Sequence, residues 1–236
     1  MAKKILISVV VPAYNEEKTI KRCLAALKNQ SFPAKDYEII VVDNNSSDKT
    51  AQIAKKMGAR VVLEKRQGYV FAIKKGCDAA LGKIVVITDA DSRAFRDWLK
   101  KFYTVFQKDK DIVCVGGGTI HDNPRTLLVV LVELSYNLVS PLFKAFPGYN
   151  LAFLKSAYDK IGGFREEINM CADTDLCMRM GKQGKRRFLL DNKILTSGRR
   201  FRNRGAMAYI LKGLINDIWL ILFKKTIFFD FGEVRE

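Results

Sequence analysis

A single histidine, His121, stands in 236 residues. Multi-histidine metal sites are therefore excluded, and a His-dependent triad would have to rest on that residue alone. Its setting, TIHDNP, reads as a loop rather than a catalytic position. The five cysteines (Cys23, Cys77, Cys114, Cys171 and Cys177) form no C-x-x-C pair and are odd in number. That argues against a disulfide framework and for reduced, mostly buried thiols in a cytosolic protein. No apolar run approaches the roughly 18 residues that a membrane span needs. The apolar start Ile5–Val11 ends at Pro12 with charges following, and no small-residue cleavage site appears, so it reads as a core strand rather than a signal peptide. Phosphate loops are missing as well. In GCDAALGK (76–83) the glycines are too far apart and Ile84 stands where a metal-ligating hydroxyl is needed, while Gly116–Gly118 does not continue as G-x-G-x-x-G.

What is abundant is apolar residue and positive charge. Hydrophobic residues make up 48% of the chain, enough to bury a sizeable core and to exclude disorder as the dominant state. The net charge is +16, and it is uneven: residues 179–204 hold ten basic side chains and one acid, Asp191. Such a stretch implies an anionic partner, whether nucleic acid, a membrane surface or a phosphorylated small molecule.

Short β-rich runs alternate with helical patterns, the signature of an α/β domain with a largely parallel sheet. The runs Ile5–Val11, Tyr37–Val42, Arg60–Leu63, Ile84–Thr88 and Ile112–Val115 predict strands. Helices are expected over Glu17–Asn29, in the segment that Gly58 stops, and over Tyr69–Leu81 and Asp97–Gln107. With no repeat or linker, 1–118 and 119–236 are read as two halves of one continuous domain. In the second half, Arg125–Phe143 and Ala206–Phe223 are apolar at helical spacing; Met207, Ile210, Leu211, Leu214, Ile215, Ile218 and Leu222 recur along one face. Packing against the core is the preferred explanation, over a helix lying on anionic lipid with Lys224 and Lys225 beside it.

Acidic residues fall where strands end, the edge at which open α/β sheets bind ligands. Asp43 ends the second run; Asp89 and Asp91, in TDADS, end the fourth. Strand-terminal Asp also serves as a turn former. Two carboxylates one residue apart suit Mg²⁺ or Mn²⁺, the shell being completed by a diphosphate.

Taken together, VPAYNEE (11–17), VVDNNSSDKT (41–50), TDADS (88–92), GYNLAF (148–153), IGGF (161–164) and ADTDLCMRM (172–180) resemble the family 2 inverting glycosyltransferases of GT-A fold, in order and separation. The resemblance implies a mostly parallel central sheet flanked by helices, with a C-terminal acceptor-side helical segment. It makes 1–118 the nucleotide-sugar-binding half and 119–236 the half carrying acceptor site and base. Pro12, Ala13, Tyr14 and Glu16 would line the nucleotide pocket, and Asp43 would accept a hydrogen bond from the base of the donor. Asp91 would ligate Mg²⁺ or Mn²⁺, with Asp89 reaching the ribose or the metal shell. Asp173 falls at the aspartate of the E-D motif, the general base. The implied reaction moves a sugar from a UDP- or GDP-linked donor to an acceptor hydroxyl or lipid phosphate, in glycolipid or cell-surface polysaccharide synthesis. The implied location is cytoplasmic, peripheral to the inner face of the cell membrane.

Three departures matter. Ala172 stands where the motif has Glu, so Asp175 competes with Asp173 for the base. Both could instead serve as charge partners of a helix N-terminus. Many relatives place a metal-ligating His after this helix; here TSGRRFRNRG (196–205) stands instead. Arg199 and Arg200 are read as a guanidinium clamp on the diphosphate. Cys171 and Cys177 flank the base without a His partner and read as packing residues. Two alternatives carry different chemistry. A basic nucleic-acid-binding protein would explain the charge, but the basic stretch has few interleaved aromatics. A sugar-1-phosphate nucleotidyltransferase would need a Gly-rich loop where Pro-Ala-Tyr-Asn-Glu-Glu stands.

Overall fold

The computed structural model describes residues 5–122, 127–199 and 206–228. One eight-stranded sheet organises them, in the order β3-β2-β1-β4-β7-β6-β8-β5. β1 (Ile7–Ala13), β2 (Tyr37–Asp43), β3 (Arg60–Leu63) and β4 (Ile84–Ile87) are mutually parallel, as expected of near-continuous β-branched runs that are covered on both faces. β1 and β4 are accordingly almost wholly buried. Helices α1 (Ile20–Lys28), α2 (Thr50–Lys56), α3 (Tyr69–Asp78) and α4 (Trp98–Lys108) connect and cover this half. The covering splits the core in two. Leu24, Leu27, Trp98 and Phe102 pack on one face, and Val70, Ile73, Phe153 and Tyr158 on the other.

Three strands were not legible in the sequence. β7 (Leu151–Leu154) inserts antiparallel between β4 and β6 (Ile112–Asp122); β8 (Lys185–Ser197) runs parallel to β6, and the two-residue β5 (Arg93–Ala94) closes the edge against β8. β8 takes in much of the basic tract. Lys185 pairs with Asp111 at 2.9 Å and Asp109 at 3.5 Å, and Arg186 donates to the carbonyls of Lys144 and Cys177. Those charges are spent on the scaffold, away from the strand-end acids. Extension of β6 to Asp122 also places His121 in a strand. It is buried rather than in a loop, its Nδ1 lies 3.7 Å from Glu133, and desolvation lowers its pKa.

Asn150 locks the antiparallel insertion. Its Nδ2 donates to the carbonyls of Gly118 and Asn192, and its Oδ1 accepts from Trp98 Nε1 at 2.8 Å, all in the interior. All five cysteines are free, and four are buried, as reduced packing thiols should be.

The remaining helices are α5 (Leu127–Phe143), α6 (Lys155–Lys160), α7 (Ala172–Met180) and α8 (Ala206–Phe223). Core packing does not account for the apolar periodicity of α8. Leu211, Ile215, Ile218 and Leu222 are exposed, while the polar Asn216 on the other side is fully buried. Among the described residues no helix is long and apolar enough to cross a membrane.

Candidate active site

The parallel register puts Ala13 of β1 beside Asp43 of β2, and Val10 beside Ile87 of β4, so the segments that follow all leave one edge of the sheet. After β1 the chain turns at Asn15, whose φ of 52° is left-handed. Asn15 N–H donates to Ser46 Oγ (3.0 Å), its Oδ1 accepts from Ser47 N–H (2.9 Å), and Glu16 N–H donates to Thr50 Oγ1 (2.7 Å). The β1 and β2 loops thus move as one piece. Pro12 and Tyr14 are half-buried at this edge and Ala13 is buried. Asp43 is buried, and its Oδ1 accepts from Ser46 N–H at 3.2 Å, so the turn-forming role is present whatever else the carboxylate does.

Asp89 and Asp91 lie in the turn after β4, closed by Ser92 N–H to the Asp89 carbonyl at 3.1 Å. Ser92 Oγ also donates to Thr196 Oγ1 of β8 at 3.0 Å, which pins the acidic turn to the second half of the sheet. Glu16 reaches the same place. Burial and the combined field of Asp91, Asp89 and Glu16 push the Cys23 thiol well above its ordinary pKa. A small cleft opens here, lined by Thr19, Arg22, Asp91, Arg93, Asp122 and Ser197. Thr19, Arg22, Asp122 and Ser197 were not singled out from sequence; Asp122 and Ser197 face each other in the β6–β8 pairing, and Thr19 and Arg22 come from the start of α1.

Arg199, expected as a diphosphate clamp, holds the acids together. Its Nη1 is 3.1 Å from Glu16 Oε2, its Nη2 also pairs with Glu16 Oε1, and Nη2 lies 3.2 Å from Asp91 Oδ2. Arg200 lies outside the described residues. Magnesium-type ions bind through one or two carboxylates and leave the remaining positions to phosphate and water. Asp91 and Asp89 fit that donor set, and the Arg199 guanidinium already meets Asp91 as a cation would. Among the described residues no three His, Cys, Asp or Glu side chains form a closed metal cage. The fit is therefore to an open site completed from the ligand side.

The second acidic locus is the start of α7. Ile87 of β4 pairs with Leu151 of β7, so Gly148–Asn150, the turn before β7, emerges at the edge where the Asp89 turn begins. Gly148 N–H donates to Asp173 Oδ2 at 2.7 Å, and Thr174 N–H donates to Oδ1 at 3.0 Å. Glycine is needed there, because a Cβ on residue 148 would sit 2.8 Å from the Tyr69 hydroxyl and 3.5 Å from the Asp173 carboxylate. Desolvation first, then the nearby Asp217 carboxylate, raises the Asp173 pKa to about 6; the two N–H bonds pull against that rise. Asp217 is on α8, takes hydrogen bonds from Thr174 and Cys171, and has its own pKa raised by burial. Sequence reasoning missed it, although a lone acid in an otherwise apolar helix was the available signal.

Asp175 is differently placed. Arg165 Nη2 reaches it at 2.5 Å and Arg179 Nη2 at 2.7 Å, so this buried carboxylate is an ion-pair anchor between two guanidiniums. Of the two competing aspartates, only Asp173 is held by main-chain donors and partly open to the sheet edge.

Comparison with known proteins gives the arrangement a family. Residues 8–163 match the model of glycosyl transferase family 2. The glycosyltransferase AglE of Haloferax volcanii is 33% identical over 101 residues, covering 40% of this chain and 33% of that protein. A dolichyl N-acetyl-alpha-D-glucosaminyl phosphate 3-beta-D-2,3-diacetamido-2,3-dideoxy-beta-D-glucuronosyltransferase of Methanococcus voltae is 31% identical over 141 residues, covering 56% of this chain and 44% of that one. The chain thus spans a third to a half of the length of curated relatives that it matches. Among solved structures, the mannosyltransferase PcManGT from Pyrobaculum calidifontis, in complex with GDP-Man and Mn²⁺, superposes with a TM-score of 0.75 at 22% identity, over 92% of this chain and 64% of that one. Sequence motifs, sheet order and family match agree: this chain belongs to glycosyl transferase family 2 and has the GT-A fold.

Proposed function

We propose that this protein is a metal-dependent inverting glycosyltransferase, moving a sugar from a UDP- or GDP-linked donor to an acceptor hydroxyl or lipid phosphate in glycolipid or cell-surface polysaccharide synthesis. One observation carries the reading. A single sheet edge bears a carboxylate cluster suited to a metal-bound diphosphate (Glu16, Asp89, Asp91) and a separate carboxylate, Asp173, raised to about 6. Those are the two halves of a single displacement: a place for the leaving group and a proton acceptor for the nucleophile. PcManGT, described with GDP-Man and Mn²⁺, lends support from the same fold.

In this account Pro12, Ala13, Tyr14 and Glu16 line the nucleotide pocket, and Asp43 accepts a hydrogen bond from the nucleobase. Asp91, with Asp89 reaching the ribose or the metal shell, holds Mg²⁺ or Mn²⁺. When bound, the ion neutralises charge on the departing diphosphate. Arg199 is the resident cation of the ligand-free site. Once a metal-diphosphate competes for Asp91, its guanidinium has the forked geometry to grip phosphate oxygens, with Arg200 beside it in sequence. Asp173 takes the proton of an acceptor hydroxyl as that oxygen attacks the anomeric carbon from the face opposite the diphosphate. Near pH 7 a group with a pKa of about 6 is mostly ionised yet still basic.

Thermal-shift measurements test the donor half directly. At about a hundredfold excess over Kd, one nucleoside diphosphate with Mn²⁺ should raise the melting temperature by about 5–10 °C, and far less when EDTA replaces the metal. No shift with either UDP or GDP plus Mn²⁺ would contradict the donor assignment.

A further inference from the structure

α5 and α8 bury Val129, Val132 and Leu220 beside several polar groups, and turn other leucines and isoleucines outward. α5 meets β6 through polar groups: Glu133 accepts from His121 N–H at 3.0 Å, and Asn137 exchanges two hydrogen bonds with the main chain of Thr119 at 2.9 and 3.0 Å. Its leucines at 131, 134, 138 and 142 are exposed instead, Leu142 by 78%. α8 repeats the arrangement. Asn216 is buried on main-chain groups of residues 227 and 228, Asp217 takes hydrogen bonds from Thr174 and Cys171, and Cys171 Sγ lies 3.7 Å from the Gly213 carbonyl. Leu211, Ile215, Ile218 and Leu222 then form an outward stripe at i, i+4, i+7 and i+11, up to 65% exposed. Turning leucines to water while burying amides is unfavourable unless something apolar covers the stripes.

We infer that the outward faces of α5 and α8 lie in the interfacial region of an anionic lipid bilayer. Charge complementarity selects lipid over a second copy. Exposed Lys144 follows α5, and exposed Lys224 and Lys225 follow α8, in a chain of net charge +16. Apposing two copies through these faces would bring like charges together, whereas anionic head groups would neutralise them. The end of α8 also carries Trp219 in tilted contact with Phe223, with ring centroids 4.2 Å apart, both partly exposed and near the lysines. Amphipathic aromatics of this kind settle at head-group depth. Each stripe covers about three helical turns, roughly 16 Å, suited to lying in the plane of the membrane rather than crossing it. The polar side of α8 is bonded to Cys171 and Thr174, the neighbours of Asp173, so the lipid-facing helix and the proposed base share one attachment.

The experiment is flotation of the whole chain with vesicles of phosphatidylcholine alone, or mixed in equal parts with phosphatidylglycerol. The protein should float with the mixed vesicles, weakly with the neutral ones, and less as salt rises. Leu211→Gln, Ile215→Gln, Ile218→Gln and Leu222→Gln combined should lower the partition coefficient roughly a hundredfold. Lys224→Ala with Lys225→Ala should remove most of the preference for anionic lipid and leave residual binding to neutral vesicles. These positions are exposed, and an unchanged melting temperature and an unchanged thermal shift with nucleoside diphosphate would show that the fold and donor site are intact. Failure of the wild type to float, or equal flotation of the fourfold variant, overturns the proposal. So does a solution dimer that the same four substitutions dissociate, which would assign the stripes to a second copy. Flotation needs neither donor nor acceptor, so its failure leaves the transferase reading standing, and loss of the nucleotide shift leaves the flotation result standing.

Discussion

Asp173→Asn lowers turnover by roughly three orders of magnitude while leaving the KM for the donor close to that of the wild type. Asparagine has the same shape but keeps only one of the two oxygens, so one of the hydrogen bonds from Gly148 N–H and Thr174 N–H survives and the other is lost. What it loses is the ability to take a proton. An acceptor hydroxyl then attacks as a neutral nucleophile, and the loss falls on kcat. A phosphate acceptor is already anionic and would be spared most of this loss, so the size of the effect also reports on acceptor class. The same substitution changes how stability depends on pH. A carboxyl whose pKa rises from 3.8 to about 6 on folding binds its proton more tightly in the native state. Stability therefore falls as pH rises from about 4 through about 6 and is level above that, a penalty of up to about 3 kcal/mol near neutrality. Asp173→Asn removes that pH-dependent penalty and forfeits one hydrogen bond, worth about 1 kcal/mol, so its melting temperature relative to that of the wild type should rise between pH 4 and pH 8. A difference between the two melting temperatures that is the same at pH 4 and at pH 8 would mean that the carboxylate is not destabilised as described.

The second large effect is at Asp91. Asp91→Asn should lower turnover about a hundredfold to a thousandfold, and the thermal shift with nucleoside diphosphate and Mn²⁺ should disappear. Both follow from replacing one of the two hard oxygen donors proposed for the metal with a neutral amide. The ligand-free fold should scarcely change, because Arg199 retains its paired contacts with Glu16. A full nucleotide shift in Asp91→Asn would move the diphosphate away from the turn after β4.

Much of this was legible in the chain itself, for a physical reason. Runs such as Ile84–Ile87, buried on both faces, are unmistakable, and the acids that follow them mark the ligand edge. The strands that escaped lack such a pattern. Leu151–Leu154 is four residues long and lies between Gly-Tyr-Asn and a helix start. Lys185–Ser197 is so basic that its composition points to a ligand rather than to the sheet it joins. That misdirection explains why the charge seemed concentrated on one function: Lys185 and Arg186 belong to the scaffold, while Arg199 reaches Glu16 across 183 positions of sequence. Asp173 and Asp175 are indistinguishable by pattern, since both fall in the first turn of α7. Only Arg165, ten residues upstream, and Arg179, one helical turn on, separate the ion-paired aspartate from the other. The amphipathic spacing of α8 marks a helix, yet Leu211, Ile215, Ile218 and Leu222 of the expected core face point outward. Periodicity reports that a helix has two faces and not which of them meets the protein.

The most direct test of the central claim is the pH dependence of nucleoside diphosphate release from the preferred sugar donor, with water as acceptor, in the wild type and in Asp173→Asn. Water, like an acceptor hydroxyl, must surrender a proton as it attacks. The account predicts that log kcat/KM for the wild type falls with unit slope below an apparent pKa of about 6. In Asp173→Asn the residual rate should lose that limb. An acid limb near the ordinary carboxylate range in the wild type, or one that survives unchanged in Asp173→Asn, would contradict the assignment of Asp173 as the base.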